Sequence, residues 1–233
     1  MNLQIQRSGD RYFADLGWLK TRLSFSFADY YDPENVNWGA LRVFNDDRIA
    51  AATGFPPHPH RDMEILTYVF SGQLEHRDSM GNHGVVTAGG VQFMSAGTGV
   101  RHSEFNASTS EPLHLAQMWV LPGKIGVKPS YGQIDFTEAD RRDRWLNVAS
   151  GRRSIDAPIA LTQDAALRVS QLNDTSLQHD FEDGRKGFLF VAEGEVGANG
   201  QTLGEGDAAR IAGGGPLKLE GRGEIVIWDL PDM

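Results

Sequence analysis

Hydrophobic and polar residues alternate over short stretches along most of the chain. Residues 64–70 are rich in β-branched and aromatic side chains and end at Ser71 and Gly72, which together signal a turn. The same pattern predicts short strands at residues 74–77, 85–86, 91–94 and 113–121. Short strands that recur at intervals of about 8–12 residues predict an all-β barrel or sandwich.

Residues 137–146 form the one stretch with a helical pattern, and Thr137 is its candidate N-cap. On either side of this short connecting helix, the chain shows a weak duplication. The order strand, glycine turn, hairpin, glycine-rich turn, strand runs over residues 68–93 and recurs in shortened form over residues 190–209. The duplication predicts two tandem antiparallel β-barrels, at residues 1–134 and 135–233.

Two short clusters in the first half are rich in metal-ligand side chains. His58 and His60 follow Gly54, and His102 and Glu104 follow a glycine-rich turn at residues 97–99. In a strand, residues i and i+2 point to the same face, with Cα atoms roughly 6.6 Å apart. Two such pairs of matching parity predict a site for a single transition-metal ion.

Proline cannot donate to a sheet ladder, so Pro59 places the first pair at a strand start or at a sheet edge. A purely structural or surface role for each histidine is the alternative interpretation. Four of the 7 histidines lie outside the two pairs, namely His76, His83, His114 and His179.

Composition excludes several classes of protein. The formal net charge of -9 and the absence of a basic stripe argue against nucleic-acid binding. The absence of cysteine excludes disulfides, zinc fingers and thiolate nucleophiles. Neither a secretory signal nor an apolar run long enough to cross a bilayer is visible. We therefore expect a soluble, cytoplasmic protein of 233 residues with no membrane partner.

The second half does not repeat the metal-ligand residues. Counting back from Gly194 by the spacing that separates His58 and His60 from Gly72 leads to Asp180 and Glu182. The duplication therefore predicts one barrel with a metal site and one degenerate barrel without it.

These motifs resemble the cupin superfamily. Its first motif matches Gly54, His58, His60 and Glu64, and its second matches Gly99, His102 and Asn106. Longer stretches resemble the pirin family almost continuously from Gly17 to about Leu121, and more loosely beyond Gly123. They include FSFADYYDP at 25–33, LRVFNDD at 41–47, HPHRDMEILTY at 58–68, DSMGN at 78–82 and MSAGTGVRHSE at 94–104.

The resemblance implies an all-β, monomeric bicupin, close to bacterial pirin-like quercetin 2,3-dioxygenases, with one metal in its N-terminal barrel. The pirin ligands fall on His58, His60, His102 and Glu104. Other cupins take their carboxylate from the first motif, here Glu64, and spacing alone leaves that choice open. Glu64 is then either a support for the ligands or an inward polar residue bonded to a neighbouring strand. Iron is the expected divalent metal, with copper, nickel, manganese, cobalt or zinc as alternatives.

Three imidazoles and a carboxylate leave two positions of a six-coordinate ion open, as in catalytic sites. The leading hypothesis is oxidative cleavage of a flavonol, or of another phenolic or enediol substrate, by dioxygen with release of carbon monoxide and a depside. Glu104 is the candidate proton acceptor for the substrate hydroxyl. A redox-responsive regulatory protein of the pirin type and a metal-dependent isomerase remain open as alternatives.

Two groups of apolar side chains are candidates for a role near the substrate. The first group is a candidate lining for the substrate cleft, with ordinary barrel core as the favoured alternative. The second group is a candidate cover for a sheet edge or the barrel mouth, with simple packing as the favoured alternative. The first comprises Leu66, Tyr68, Phe93, Met94 and Met118, and the second Phe25, Phe27, Tyr30 and Tyr31.

Overall fold

The computed structural model describes all residues, Met1–Met233, and almost every element in it is a strand. The strands are β1 (Asn2–Gln6), β2 (Tyr12–Asp15), β3 (Leu19–Leu23), β4 (Leu41–Ile49), β5 (Gly54–His60), β6 (Glu64–Ser71), β7 (Gln73–Asp78), β8 (His83–Thr87), β9 (Val91–Ser95), β10 (Val100–Asn106), β11 (Leu113–Val120), β12 (Ser130–Ile134), β13 (Leu146–Ser150), β14 (Ile159–Ala160), β15 (Ala166–Phe181), β16 (Arg185–Ala198), β17 (Gln201–Gly204), β18 (Ala208–Ala212) and β19 (Gly215–Pro231). A 3₁₀ turn spans Ser8–Asp10, and the helix α1 spans Glu138–Arg141. No helix is long and apolar enough to cross a membrane.

The chain divides into two compact units. One comprises residues 12–37 and 41–136, which we call the site unit, and the other comprises residues 1–11, 38–40 and 137–233. The N-terminal segment differs from the predicted division, because β1 pairs with β18 and not with the strands of residues 12–134. Residues 38–40 join the same unit, where Trp38 Nε1 donates to Gly187 O (2.8 Å).

The site unit is built from two sheets. The larger sheet has the order β12-β9-β6-β11-β4-β3-β2, and the smaller has the order β5-β10-β7-β8. Strand β6 is buried at every position except Ser71, which explains its nearly continuous apolar sequence. The hairpin between β7 and β8 turns at Asp78, whose Oδ1 accepts from the backbone N of Met80 (2.9 Å) and of Asn82 (3.0 Å).

The second unit contains one sheet, with the order β1-β18-β16-β19-β15-β13-β14 and with β17 added on β16. Its core lies between the long strands and is formed by Leu172, Phe181, Leu189, Val191, Val196, Ala198, Leu203, Ala209, Ile211, Leu217, Leu219, Ile225 and Ile227. The sheets of both units are open and do not close into the predicted barrels. The predicted all-β class is confirmed.

The predicted helix at residues 137–146 is much shorter in the structure. Thr137 is its N-cap as expected, and Asp140 Oδ2 accepts from Thr137 N (2.8 Å) in a capping box. The helix ends at Arg141, because Asp143 adopts a left-handed backbone conformation (φ 55) and Leu146 already starts β13. Extended pairing overrides the helical pattern of the last residues.

Candidate metal centre

The two sequence clusters lie on neighbouring strands of the smaller sheet. His58 and His60 are on β5, which is an edge strand, as Pro59 predicted. His102 is on β10 directly opposite His58, and a bulge follows between His102 and Glu104. Because His58 and His102 are direct cross-strand partners, the alternation of side chains along each strand places both pairs on the same face of the sheet.

The three imidazoles converge. Their ring centroids are 4.8 Å apart for His58 and His60, 4.4 Å for His58 and His102, and 4.8 Å for His60 and His102. One ligand nitrogen from each ring lies within 4.8 Å of the others. This spacing suits three ligands that surround one small cation.

The nitrogen atoms that face this space are free to bind an ion. His58 Nδ1 lies 2.8 Å from Pro56 O, so it donates to that carbonyl and leaves Nε2 with a lone pair. His102 Nε2 is buried, has no hydrogen-bond partner, and lies 4.0 Å from Glu104 Oε2. An orphaned buried imidazole nitrogen beside a carboxylate fits a divalent transition metal.

The environment favours the neutral form of His60 and of His102. Burial and the neighbouring charges of His102 and His58 lower the pKa of His60 to about 3. Burial, followed by the charges of His58 and His76, lowers the pKa of His102 to about 3 against the opposing effect of Asp78. Neutral rings are the form that binds a metal ion, so the site is set up for ligation at neutral pH.

Glu104 is held by three polar side chains of the larger sheet. Gln117 Nε2 donates to Oε2 (2.8 Å), whereas Gln92 Nε2 and Thr67 Oγ1 (3.4 Å) donate to Oε1. Asn45, Gln117, Thr67 and Gln92 are successive cross-strand neighbours and form a polar row across the sheet. Burial of the Glu104 carboxyl raises its pKa.

His76 also belongs to this cluster, which the sequence reasoning missed. It is fully buried, stands opposite Glu104 across β7 and β10, and places Nδ1 3.4 Å from His102 Nδ1. Its Nε2 lies 3.2 Å from Asp78 Oδ2, and its ring stacks on Tyr131 (4.1 Å). The signal in the sequence was the parity that His76 shares with buried Leu74 on the same strand.

Glu64, the alternative carboxylate, lies apart from the cluster. It stands three residues before Thr67 on β6, so the two side chains point to opposite faces of the sheet. Glu64 is in neither group of converging ligand atoms, whereas Glu104 joins His76 and His102 in one of them.

The corresponding positions of the second unit have other contacts. Asp180 and Glu182 are both exposed. Asp180 Oδ1 accepts from Gln178 Nε2 (2.8 Å), and Glu182 Oε1 accepts from Arg152 Nη2 (2.7 Å). The absence of a metal from this unit stays a prediction.

An apolar cavity of about 300 Å³ opens beside the histidines. Its walls are largely aromatic and are formed by Tyr12, Trp18, Phe27, Tyr30, Phe55 and Trp119, with His58, His60 and Gln117 at one end. Of the second predicted group, Phe27 and Tyr30 line the cavity, whereas Phe25 is fully buried and Tyr31 is 77% exposed. The first predicted group (Leu66, Tyr68, Phe93, Met94 and Met118) is buried core, its favoured alternative, and does not line the cavity.

Comparison with known proteins agrees with this fold. The Pirin family profile matches residues 6–120, and the profile described as quercetinase C-terminal cupin domain matches residues 148–227. The quercetin 2,3-dioxygenase of Escherichia coli (strain K12) is 39% identical over 234 residues, which cover 99% of this chain and 100% of that one. The chain belongs to the pirin family.

Other pirin-family relatives support the same assignment. The pirin-like protein of Caulobacter vibrioides is 45% identical over 203 residues, or 85% of each chain. The crystal structure of bacterial pirin YhhW from Escherichia coli in complex with nickel(II) has a TM-score of 0.91 and 38% identity, and the match covers 100% of both chains. The predicted resemblance and the bicupin fold are therefore confirmed for this pirin-family chain.

Proposed function

We propose that the protein is a metal-dependent dioxygenase that cleaves flavonols such as quercetin. Both atoms of dioxygen enter the depside product, and one ring carbon leaves as carbon monoxide. The observation that carries the proposal is that His58, His60 and His102 converge, with Glu104 4.0 Å from His102 and with His58 and His60 lining an aromatic cavity. Relatives named quercetin 2,3-dioxygenase support it.

The residues that would hold the metal are His58, His60, His102 and Glu104. A redox-active divalent ion, for which iron is our choice, would supply Lewis acidity toward the substrate hydroxyl and electron transfer with dioxygen. The crystal structure of the bacterial pirin YhhW in complex with nickel(II) supports metal binding by this chain.

Glu104 is the group that takes the proton of the substrate hydroxyl. Its carboxylate is 1% exposed, so burial raises its pKa and strengthens it as a base. Gln117 and Gln92 hold its two oxygens and keep the carboxylate in one orientation. Gln117 also lines the cavity, so substrate contact and base orientation meet at one side chain.

The aromatic walls hold a flat substrate and exclude water from the reacting end. Trp18 and Phe55 meet edge to face (centroids 5.1 Å apart), and Phe27 meets Trp119 in the same way (5.2 Å). His60 packs edge-on against Trp119 (4.8 Å), which joins the wall to the metal ligands. Offset and edge-to-face contacts of this kind also suit the rings of a flavonol.

The test is to measure metal content and quercetin turnover on the purified protein under oxygen. We expect one carbon monoxide and one depside for each dioxygen consumed. His102→Ala is expected to lose metal and turnover together while staying folded, and His83→Ala, at an exposed position, is expected to keep both. Unchanged turnover in metal-depleted His102→Ala would overturn the proposal.

Other outcomes would indicate the alternative functions. Conversion of substrate without dioxygen would favour an isomerase. Absence of turnover together with a metal-dependent partner protein would favour the regulatory function.

A further inference from the structure

One wall of the cavity carries a polar group that the proposed chemistry does not use. It consists of Thr21, Asn45 and Asp47, which we call the polar wall. Thr21 and Asp47 are cross-strand partners on β3 and β4, and Asn45 shares a strand face with Asp47. The three residues are 7%, 3% and 2% exposed, so they are buried polar groups at the surface of a cavity.

Thr21 Oγ1 and Asn45 Oδ1, which both belong to the polar wall, lack a hydrogen-bond partner within the protein. A buried polar atom without a partner costs about 1–3 kcal/mol, so atoms of this kind facing a cavity indicate a ligand that completes the bond. The amide oxygen of Asn45 can only accept, and it therefore requires a donor on the ligand.

The polar wall lies next to the candidate metal centre but is separate from it. Asn45 stands directly opposite Gln117, which donates to Glu104. Directly paired side chains have Cβ atoms about 4.5–5.5 Å apart, so the polar wall begins one strand beyond the residue that holds the base. A ligand with one hydroxyl at Glu104 therefore presents a different part of its structure to Asn45.

The charge of the cavity restricts the ligand further. No lysine or arginine lines it, whereas Asp29 and Asp47 do. At the polar wall, a carboxylate or phosphate on the ligand would face the Asp47 carboxylate in a partly desolvated space. Hydroxyl groups on a neutral ring satisfy both the acceptors and the apolar walls.

We propose that the polar wall selects neutral, polyhydroxylated aromatic substrates over anionic ones. Asn45 Oδ1 and the Asp47 carboxylate accept hydrogen bonds from a ring hydroxyl remote from the reacting one, and Thr21 completes the contact. This inference rests on the proposed function, because it names the class of substrate taken by the same site.

The test measures ligand binding in the absence of turnover. A failure of this inference can then be distinguished from a failure of the proposed function. Nickel(II)-loaded protein is titrated under argon with quercetin and with flavonols that lack the hydroxyl groups of one ring or the other. The fluorescence of Trp18 and Trp119, which line the cavity, reports binding. In the wild type, we expect removal of the hydroxyls from one of the two rings to weaken binding at least tenfold.

Substitution of the polar wall is expected to abolish that discrimination. Asn45→Leu keeps the side-chain shape but not the acceptor, and it should bind the hydroxylated and dehydroxylated analogues within twofold of each other. Thr21→Val removes the hydroxyl and keeps the side-chain shape, so it provides a second test of discrimination if Asn45→Leu does not fold. Arg48→Gln, on the opposite face of β4, is the control and should discriminate as the wild type does.

Selection against negative charge is tested with a quercetin analogue that carries a carboxylate on the ring whose hydroxyls the polar wall binds. The wild type should bind it at least tenfold more weakly than quercetin, and Asp47→Asn should remove most of this difference. Full discrimination in both Asn45→Leu and Thr21→Val would overturn the inference. Tighter binding of an aromatic amine than of the hydroxylated ligand would overturn it in favour of a cation site. Failure of quercetin turnover with discrimination intact would count against the proposed function only.

Discussion

His76 Nδ1 lies 3.4 Å from His102 Nδ1, and both rings are fully buried. Because His76 Nε2 faces the Asp78 carboxylate at 3.2 Å, it donates to that carboxylate and leaves Nδ1 as the acceptor. His102 then donates from Nδ1 and keeps a lone pair on Nε2, the orphaned atom that faces Glu104. One hydrogen bond thus selects the tautomer of His102 that can bind an ion.

Loss of this hydrogen bond should weaken metal binding. His76→Phe keeps a ring that can stack on Tyr131 but removes the acceptor, and we expect roughly 10–100-fold lower metal affinity. Competition with a chelator of known affinity measures the change. His83→Phe, at an exposed histidine on β8, is the control and should bind metal as the wild type does. Equal affinities for His76→Phe and the wild type would show that His76 does not position the ligand.

A methyl group at Gly54 should separate the two ligand strands. A Cβ there would lie 2.2 Å from Glu104 O and 2.5 Å from Phe105 Cα, both backbone atoms of β10. We expect Gly54→Ala to lower the free energy of unfolding by about 1–3 kcal/mol and to reduce bound metal. Urea unfolding and metal analysis check both.

The matched control for this change is Gly132→Ala on β12. Its Cβ would meet no atom within 4 Å. Equal free energies of unfolding and equal metal contents for Gly54→Ala and Gly132→Ala would contradict this prediction. They would show that the close approach of β5 and β10 does not require glycine at position 54.

Asp229 should make the protein sensitive to acid. Burial alone would raise the pKa of this carboxyl, but hydrogen bonds from His179 and Arg185 and the charges of Arg185 and Arg152 outweigh burial and lower it. The stabilisation is therefore fully present above the pKa of about 3.9 in the unfolded chain, and it is lost as the pH falls through the lower folded value.

Asp229→Asn leaves Arg152 and Arg185 without their shared carboxylate, which they contact at 2.5 and 2.7 Å. We expect the free energy of unfolding at pH 7 to fall by about 3–5 kcal/mol, and the wild type and variant to converge toward pH 2. Denaturant unfolding across this pH range is the measurement. Asp174→Asn, at an exposed ion pair with Arg222, should leave stability unchanged at every pH. The prediction would be contradicted if the difference in the free energy of unfolding between Asp229→Asn and the wild type stayed constant from pH 7 to pH 2.

Local sequence patterns predicted much of this protein. Period-two alternation identified the strands, Pro59 marked an edge strand, and Thr137 marked a helix start, because each depends on the backbone of a few neighbouring residues. The same local reading failed at residues 142–146, where pairing with other strands overrides a helical pattern. It also placed residues 1–11 with the wrong neighbours, since β1 pairs with β18, about 200 residues away in sequence.

The four predicted ligands were visible in the sequence because each pair lies on one strand and shares its parity. Among the residues that contact them, Gln92 and Gln117 gave no signal in the sequence, and His76 gave only the parity it shares with buried Leu74. His76, Gln92 and Gln117 lie on three other strands and reach His102 or Glu104 only through the pairing of β7 with β10 and the packing of the two sheets. The residues predicted to line the cavity were wrong for a related reason. In a strand that is buried on both faces, the sequence does not show which face borders a cavity.

Sequence alone therefore determined the strand-rich class, the glycine and proline positions that bound the strands, and the His and Glu types needed to hold a metal. Tertiary structure decided which carboxylate joins the histidines, which tautomer His102 adopts, and where acceptors without partners face a cavity. The physical reason is the distance along the chain over which each kind of interaction acts. Backbone preferences act between neighbours along the chain, whereas hydrogen-bond satisfaction and burial depend on atoms that only folding brings together.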